Sequence, residues 1–306
     1  MKLNILTWNV NFIHDNWLQR LDKINKTLEK KIKKFDLIAL QEATLPFSDK
    51  LTEFYKFLKT DKNIKYFGDS LIFHEKNFLY NWIKTHFPRY KKHIITILEF
   101  FMDQLLFICS WIFSRYGEKL KKLYRDHTYL CFFIGLLCPI VFIGVWWFIG
   151  MVTIISNKIN GIVSCKYFGR PFQYCKFNYN NRDCVFVNVH LTPFNKENKR
   201  IKEIEELLKF IKNTDVCILA GDFNSTQYDN VYKILKNNGY RSVVFEKKGK
   251  EVPTFPSWCP IKTLDYIWIK GENIKIKKVK HFGNKDATDH KGIAATIDIG
   301  ENKILN

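Results

Sequence analysis

Lys2-Leu3-Asn4-Ile5-Leu6-Thr7-Trp8-Asn9-Val10 is dense in Leu, Ile and Trp and runs into polar Asn9 and Asn11. That is the pattern of a buried strand stopping at a polar edge. From Asn16 to Lys34, Trp17, Leu21, Ile24, Leu28 and Ile32 recur every three or four residues with Lys and Glu between them, which predicts an amphipathic helix. Asp36 to Leu40 reads as a second strand that delivers Gln41 and Glu42 to its carboxyl end. Strand, helix and strand in so short a span form a β-α-β unit and predict an α/β layered fold.

The second half repeats the rhythm. Asp183 to Leu191 is a strand carrying His190 near its end, Lys196 to Lys212 is amphipathic on Ile201, Ile204, Leu207, Leu208 and Ile211, and Val216 to Ala220 is a strand entering Gly221-Asp222-Phe223-Asn224. A short helix from Tyr228 to Asn238, closed by Gly239, leads to the Pro-rich loop Val252 to Pro260. Strands over Thr263–Ile269, Ile274–Lys280 and Gly292–Ile299 follow. There is no internal repeat.

The middle breaks this alternation. Tyr129 to Ile149 contains no charged residue, and about twenty helical residues span roughly 30 Å, the hydrocarbon thickness of a bilayer. The stretch is read as a membrane segment; the other reading, a deeply buried core helix, would ordinarily keep one polar face. Ile94 to Phe113 is also apolar but carries Glu99 and Asp103, each costing about 2.5–3.5 kcal/mol at mid-bilayer, so it reads as a helix lying on the membrane surface. Pro139 is either the apex of a shallow hairpin or a kink in a spanning helix. Residues 1–77 and 150–306 are thus expected to form one discontinuous catalytic domain, with 78–149 a hydrophobic helical insertion on a membrane.

Composition narrows the partners. A chain of 306 residues that is 46% hydrophobic, with Gly at 14 and Pro at 8, excludes disordered and collagen-like classes. Forty-nine Lys and Arg against thirty Asp and Glu give a net charge of +19, which favours a polyanion, either nucleic acid or an anionic membrane surface. Eight cysteines without a CxxC pair argue against a zinc finger. The opening residues lack a signal peptide's apolar run, so free thiols in a reducing compartment are expected. The predicted localisation is intracellular and membrane-associated, the catalytic domain facing the cytoplasm.

Collected in order, the polar residues at strand ends are Asn9, Glu42, His190, Asp222, Asn224, Asp265, Asp289 and His290. In open α/β sheets ligand groups gather beyond the strand carboxyl ends. Converging carboxylates there suit a hard cation such as Mg²⁺, which takes oxygen ligands and keeps waters and substrate phosphate in its shell. Histidines beside them hold or move protons. This is equipment for phosphoester hydrolysis.

Thr7-Trp8-Asn9-Val10, Leu40-Gln41-Glu42, Gly150 through Ile154-Ile155-Ser156, Asn188-Val189-His190-Leu191, Leu219-Ala220-Gly221-Asp222-Phe223-Asn224, Leu264-Asp265-Tyr266-Ile267 and Thr288-Asp289-His290 resemble, in order, the motifs of the endonuclease/exonuclease/phosphatase superfamily. The resemblance covers about residues 2 to 60 and 150 to 300. It implies a DNase I-like four-layer α/β sandwich, two mixed β-sheets face to face with helices outside, here with an apolar helical insertion. It also implies Glu42 as the main metal ligand, Asn9 supporting metal or phosphate, and Asp289 as a further metal or water contact. Asp222 would orient or deprotonate the attacking water, Asn224 would hydrogen-bond a phosphoryl oxygen, and Asp265 would fix the tautomer of His290. His190 and His290 would stabilise the charge developing on phosphorus. The cofactor is Mg²⁺, with Mn²⁺ as the alternative. Thr288 replaces the family's usual Ser and keeps a hydroxyl, whereas the acidic partner that subfamilies supply to the first histidine has no counterpart between Leu45 and Ile149. Arg200 fits the family's helix after the His190 strand or is a solvated helix residue, and Asn11 is left outside the site.

The expected activity is metal-assisted, in-line hydrolysis of a phosphodiester. A membrane lipid is the favoured substrate, as in sphingomyelinases and phospholipase C-like enzymes, because the apolar insertion would hold the site at a bilayer. The alternative is a nuclease acting on DNA or RNA, with Lys270, Lys275, Lys277, Lys278, Lys280 and Lys285 tracking phosphates. A membrane-bound scaffold with an inactive site is the non-enzymatic reading.

Overall fold

The structure is a computed structural model that describes residues 2–11, 17–32, 34–43, 64–68, 151–156, 158–159, 162–167, 171–193, 195–283 and 285–301. Its strands are β1 (Lys2–Asn9), β2 (Leu37–Gln41), β3 (Ile64–Gly68), β4 (Met151–Ser156), β5 (Ile162–Tyr167), β6 (Phe172–Asn178), β7 (Asp183–His190), β8 (Val216–Asp222), β9 (Arg241–Ser242), β10 (Asp265–Lys270), β11 (Ile274–Phe282) and β12 (Gly292–Ile299). Its helices are α1 (Trp17–Ile32), α2 (Glu197–Phe210), α3 (Asn230–Asn237) and α4 (Val243–Lys248).

Two six-stranded mixed sheets result, one in the order β11-β12-β1-β2-β4-β3 and the other β5-β6-β7-β8-β10-β9. Each has a parallel pair at its centre, β1 with β2 and β7 with β8, as expected where a helix connects consecutive strands. The sheets face each other through Leu3, Ile5, Phe186, Ile218, Ile267, Ala295 and Ile297. The outer face of the first sheet packs Leu6, Trp8 and Leu40 against Ile24 and Leu28 of α1. The second packs Val187, Leu219 and Trp268 against Ile204 and Leu207 of α2 and Val231 and Leu235 of α3. Helix, sheet, sheet and helix make the four-layer sandwich. Trp8 and Trp268 are fully buried, and each large apolar side chain so placed contributes on the order of 1.5–3 kcal/mol.

A polar seam crosses this apolar interior. Gln41 donates to Thr7 Oγ1 at 3.1 Å and to Asn188 Oδ1 at 2.8 Å. Asn188 donates to the Leu40 carbonyl at 3.1 Å and Thr153 Oγ1 at 3.2 Å, and Thr153 donates to Gln173 at 2.7 Å. All five side chains are fully buried, and the bonds tie β1, β2 and β4 to β6 and β7. Buried amides require such partners, so the seam fixes how one sheet sits on the other.

Several elements differ from the reading of the sequence. The β5–β6 hairpin, the short β9 and α4 lie where no element was expected. In α4, Ser242 accepts from the Phe245 N–H and Gly249 closes the helix at φ 75°, local capping too short to leave a periodic signal. Among the described residues Cys175, Cys184, Cys217 and Cys259 are free thiols. The predicted intracellular, membrane-associated localisation is corrected: among the described residues no helix is long and apolar enough to cross a membrane. The longest, α1, has 16 residues with charges along it, against about 20 apolar residues for a crossing. The expected insertion, 78–149, lies outside the described residues.

Gly221 occupies a backbone contact that admits no side chain. A Cβ there would stand 1.9 Å from the Val189 carbonyl oxygen of the neighbouring strand. Gly221→Ala is expected to cost more than about 2 kcal/mol, because backbone and not a flexible side chain must yield. Chemical denaturation of the purified protein measures this, and an unchanged midpoint would mean that β7 and β8 separate freely.

Candidate functional site

The parallel pairs of both sheets point their carboxyl ends to one edge. There Asn9 ends β1, Glu42 follows β2, His190 ends β7 and Asp222 ends β8. In register, His190 lies opposite Asp222 and Asp222 opposite Asp265, the first residue of antiparallel β10. His290 stands just before β12. Chain direction and strand register therefore bring together six residues from six segments of the chain.

Asn9 is the joint. Its Nδ2 donates to Glu42 Oε1 at 3.0 Å and to Asp222 Oδ2 at 3.0 Å, so one amide holds a carboxylate from each sheet. Its Oδ1 accepts from the Asn11 N–H at 2.9 Å. Asp222 is buried and also accepts from the Asn224 N–H at 2.8 Å. Burial, with Asp265 nearby, pushes its carboxyl up to about 7 even though His290 and these hydrogen bonds pull the other way.

Two histidines flank the carboxylates. His290 Nδ1 meets Asp265 Oδ2 at 2.8 Å, and its Nε2 lies 3.8 Å from Asp222 Oδ2. Burial alone would lower this imidazole, but the charges of Asp265 and Asp222 outweigh it and raise the group to about 10. His290 is thus an imidazolium at neutral pH, with Nδ1–H donating to Asp265. The ring of Phe255, from the Pro-rich loop, packs on it with centroids 4.9 Å apart. Buried His190 places Nε2 at 3.7 Å from Glu42 Oε1.

Glu42, His190 and Asp222 offer ligand atoms within 4.8 Å of one another, and so do Asp222, Asp265 and His290. The first group fits a divalent cation better. Its carboxylates come from both sheets and Glu42 reaches solvent with a quarter of its side chain exposed, whereas Asp265 and His290 are already joined. Oxygen donors of this kind suit Mg²⁺ or Mn²⁺.

Asp289 stands apart from both groups. Its Oδ1 accepts from Asn11 Nδ2 at 2.8 Å, so Asn11, which the sequence reading left out, links Asp289 to Asn9. The Thr288 hydroxyl donates to the Asn9 carbonyl at 2.9 Å and accepts from the His290 N–H at 3.3 Å, which explains why a hydroxyl is kept there. Asn224 Nδ2 donates to the Leu191 carbonyl at 3.0 Å. Arg200 is buried and donates to the Thr192 carbonyl at 3.2 Å, and Glu203 accepts from the Thr192 N–H at 2.9 Å. Arg200 is therefore no solvated helix residue but holds the turn after His190. Its signal was only its place in an amphipathic helix, which does not tell an inward arginine from an outward one.

Asn9→Ala leaves two carboxylates without their shared donor and is expected to cost about 1–3 kcal/mol. Asn9→Asp should cost more, because it sets a third carboxylate between them, and Mg²⁺ should recover part of that loss. Denaturation with chelator and with Mg²⁺ tests both. Equal midpoints for the two variants would show that charge is not what Asn9 manages.

No curated protein sequence matches the chain. Among solved structures, an endonuclease/exonuclease/phosphatase family protein from Leptotrichia buccalis C-1013-b is 18% identical, with a TM-score of 0.58, covering 97% of this chain and 100% of that one. A humanized D. rerio TDP2 is 14% identical, with a TM-score of 0.57, covering 97% and 99%. D. rerio TDP2 complexed with a single-strand DNA product is 12% identical, with a TM-score of 0.56, covering 97% and 99%. These likenesses concern the fold. The profile of the endonuclease/exonuclease/phosphatase family matches residues 6–290, nearly the whole chain, and the chain belongs to that family.

Proposed function

We propose that the protein is a divalent-metal-dependent phosphodiesterase that cleaves a nucleic-acid backbone by in-line attack of water on phosphorus. The observation that carries the reading is the single amide of Asn9 holding Glu42 and Asp222 side by side between two histidines. A scaffold with an inactive site would have no use for so costly a cluster of buried charge.

Glu42 and Asp222 would hold the cation, with Asn9 fixing their separation and Mg²⁺ or Mn²⁺ as the ion. When bound, it supplies neutralisation of phosphoryl charge and a lowered pKa for coordinated water. Asp222 would orient the attacking water and accept its proton. His290, kept cationic by Asp265, stabilises the negative charge that grows on the phosphoryl oxygens. His190 does so from the other side, beside Glu42. One hydrogen of the Asn224 amide is engaged by Leu191, and we assign the other to a phosphoryl oxygen. Asp289, tied to Asn11, acts as a water or metal contact from the rim.

A nucleic-acid strand is favoured over a lipid head group. The lipid expectation rested on residues 78–149 and on a localisation that the described helices do not support. The net charge of +19 and the likeness to a TDP2 bound to single-strand DNA product support a polyanionic strand.

Purified protein with Mg²⁺ or Mn²⁺ is expected to cut a labelled oligonucleotide or supercoiled plasmid, with activity lost in chelator. Asp222→Asn and His290→Ala should each lower kcat by roughly 10²–10³-fold. Phosphocholine release from sphingomyelin vesicles with no nucleic-acid cleavage would reverse the substrate assignment. The pH profile of kcat should rise from acid pH as Asp222 deprotonates and fall on the alkaline side, at about 10, as His290 loses its proton. Asp265→Asn removes the carboxylate that holds the imidazole up, so the alkaline limb should move to lower pH. An alkaline limb that stays in place in this variant would remove His290 from the reaction.

A further inference from the structure

On the outer face of the first sheet, α1 covers β1 and β2 but leaves β11 uncovered, and a groove of about 620 Å³ runs between them. That volume lies within the roughly 300–1,000 Å³ of ordinary ligand sites. Lys26, Lys31 and Lys34 line it from α1 and the turn after it, and Lys278 and Lys280 from β11. In register, Lys278 lies beside Thr296 and Asn4, and Lys280 beside Ala294, so the floor between the lysine walls is made of small side chains. No lining residue is acidic. Of the carboxylates near it, Asp286 pairs with Lys23 at 3.6 Å and Asp298 with Lys277 at 3.4 Å, while buried Asp36 accepts from Asn4 N–H and Nδ2 at 2.8 and 3.3 Å.

The groove is built and not merely a solvated lysine face. Phe282 ends β11 with its ring over Gly292, where a Cβ would stand 2.4 Å from the ring, and edge-on to Trp8 with centroids 5.5 Å apart. Lys31 Nζ rests on that fixed ring, 4.1 Å from its centroid. Partial burial, then the charges of Lys34 and Lys280, hold the Lys31 ammonium below its usual range. Cations crowded along a concave surface repel one another, and an anion between the walls relieves the repulsion. A flat bilayer surface cannot enter such a recess, whereas a chain of phosphates can.

We propose that the groove between α1 and β11 is a second phosphate-binding site, which grips the backbone of a nucleic-acid strand outside the catalytic edge. The inference rests on the nucleic-acid reading above and extends it. Its Phe282 end is close to the site in the chain, since Gly292 follows His290 by two residues.

The test compares the full chain with Lys278→Gln/Lys280→Gln and Lys31→Gln variants by fluorescence anisotropy, using a labelled single-stranded oligonucleotide across a salt series in Ca²⁺ to prevent turnover. Hydrolysis of bis(p-nitrophenyl) phosphate is followed in parallel. Expected results are a tenfold or larger loss of affinity for the double variant, a salt slope smaller by about 0.7 per lysine removed, and unchanged turnover of the small diester. Lys278→Arg/Lys280→Arg should restore affinity, which separates lost charge from lost folding. Wild-type affinity and slope in the Gln variants would overturn the proposal. So would a lysine dependence seen only with phosphatidylserine vesicles and not with the oligonucleotide. Lysine-dependent binding without any cleavage of nucleic acid would uphold the groove while removing the nuclease reading.

Discussion

Two carboxylates from two different sheets face each other at the edge of this sandwich, and their repulsion has to be managed before anything else can happen there. Asn9 does this with one amide, donating to Glu42 and Asp222 together. The amide itself is aimed by the Asn11 N–H on its oxygen, and Asn11 in turn binds Asp289. A displacement of either sheet by a fraction of an ångström would break a bond on one side. The seam of Gln41, Asn188, Thr153 and Gln173 just inside prevents such a displacement, because each buried amide would lose partners if the sheets slid.

The same edge concentrates unusual backbone. Asn11, Glu42 and Asn224 have φ values of 41°, 49° and 47°. Asparagine tolerates the left-handed region readily and glutamate less so, and such a residue costs on the order of 1–3 kcal/mol. The cost is borne where β2 ends, and the turn aims the Glu42 carboxylate toward Asn9 and His190. Electrostatics adds to the strain. Burial drives the Asp222 carboxyl up while Asp265 keeps His290 cationic beside it, so two groups of shifted proton affinity stand 3.8 Å apart. Pairs whose environments move their proton affinities apart are what acid–base chemistry at neutral pH requires.

Away from the edge, the outer face of the first sheet presents lysines in an arrangement that no single segment contains. Lys278 and Lys280 belong to β11 and Lys31 and Lys34 to α1 and its exit, and Phe282 on Gly292 sets the distance between them. As a run along one strand, these lysines read as a solvated face. As two walls of a recess, their charges add.

The sequence by itself determined an α/β layered fold and the candidate residues at its strand ends, while the four-layer order came with the family resemblance. Strand-end Asn9, Glu42, His190 and Asp222 were legible because period-two and period-3.6 patterns place strand ends closely, and parallel strands in one sheet share a carboxyl edge. Asp265 and His290 were legible through motifs that keep a carboxylate and an imidazole at fixed places on neighbouring strands. What the sequence could not carry were contacts between segments far apart. Asn11 looks like any residue after a strand until Asp289 is seen to meet it, and Arg200 looks solvated until its guanidinium is found on the Thr192 carbonyl. Among the described residues Glu42, already counted as a metal ligand, stands beside His190 with Oε1 3.7 Å from Nε2, and the stretch from Leu45 to Ile149, where an acidic partner was sought, lies outside the described residues apart from 64–68. Hydrophobic periodicity reports which face of an element is buried, but not which face of another element it meets. The tertiary structure alone decided those pairings, because hydrogen bonds and charges act over a few ångströms of space and not along the chain.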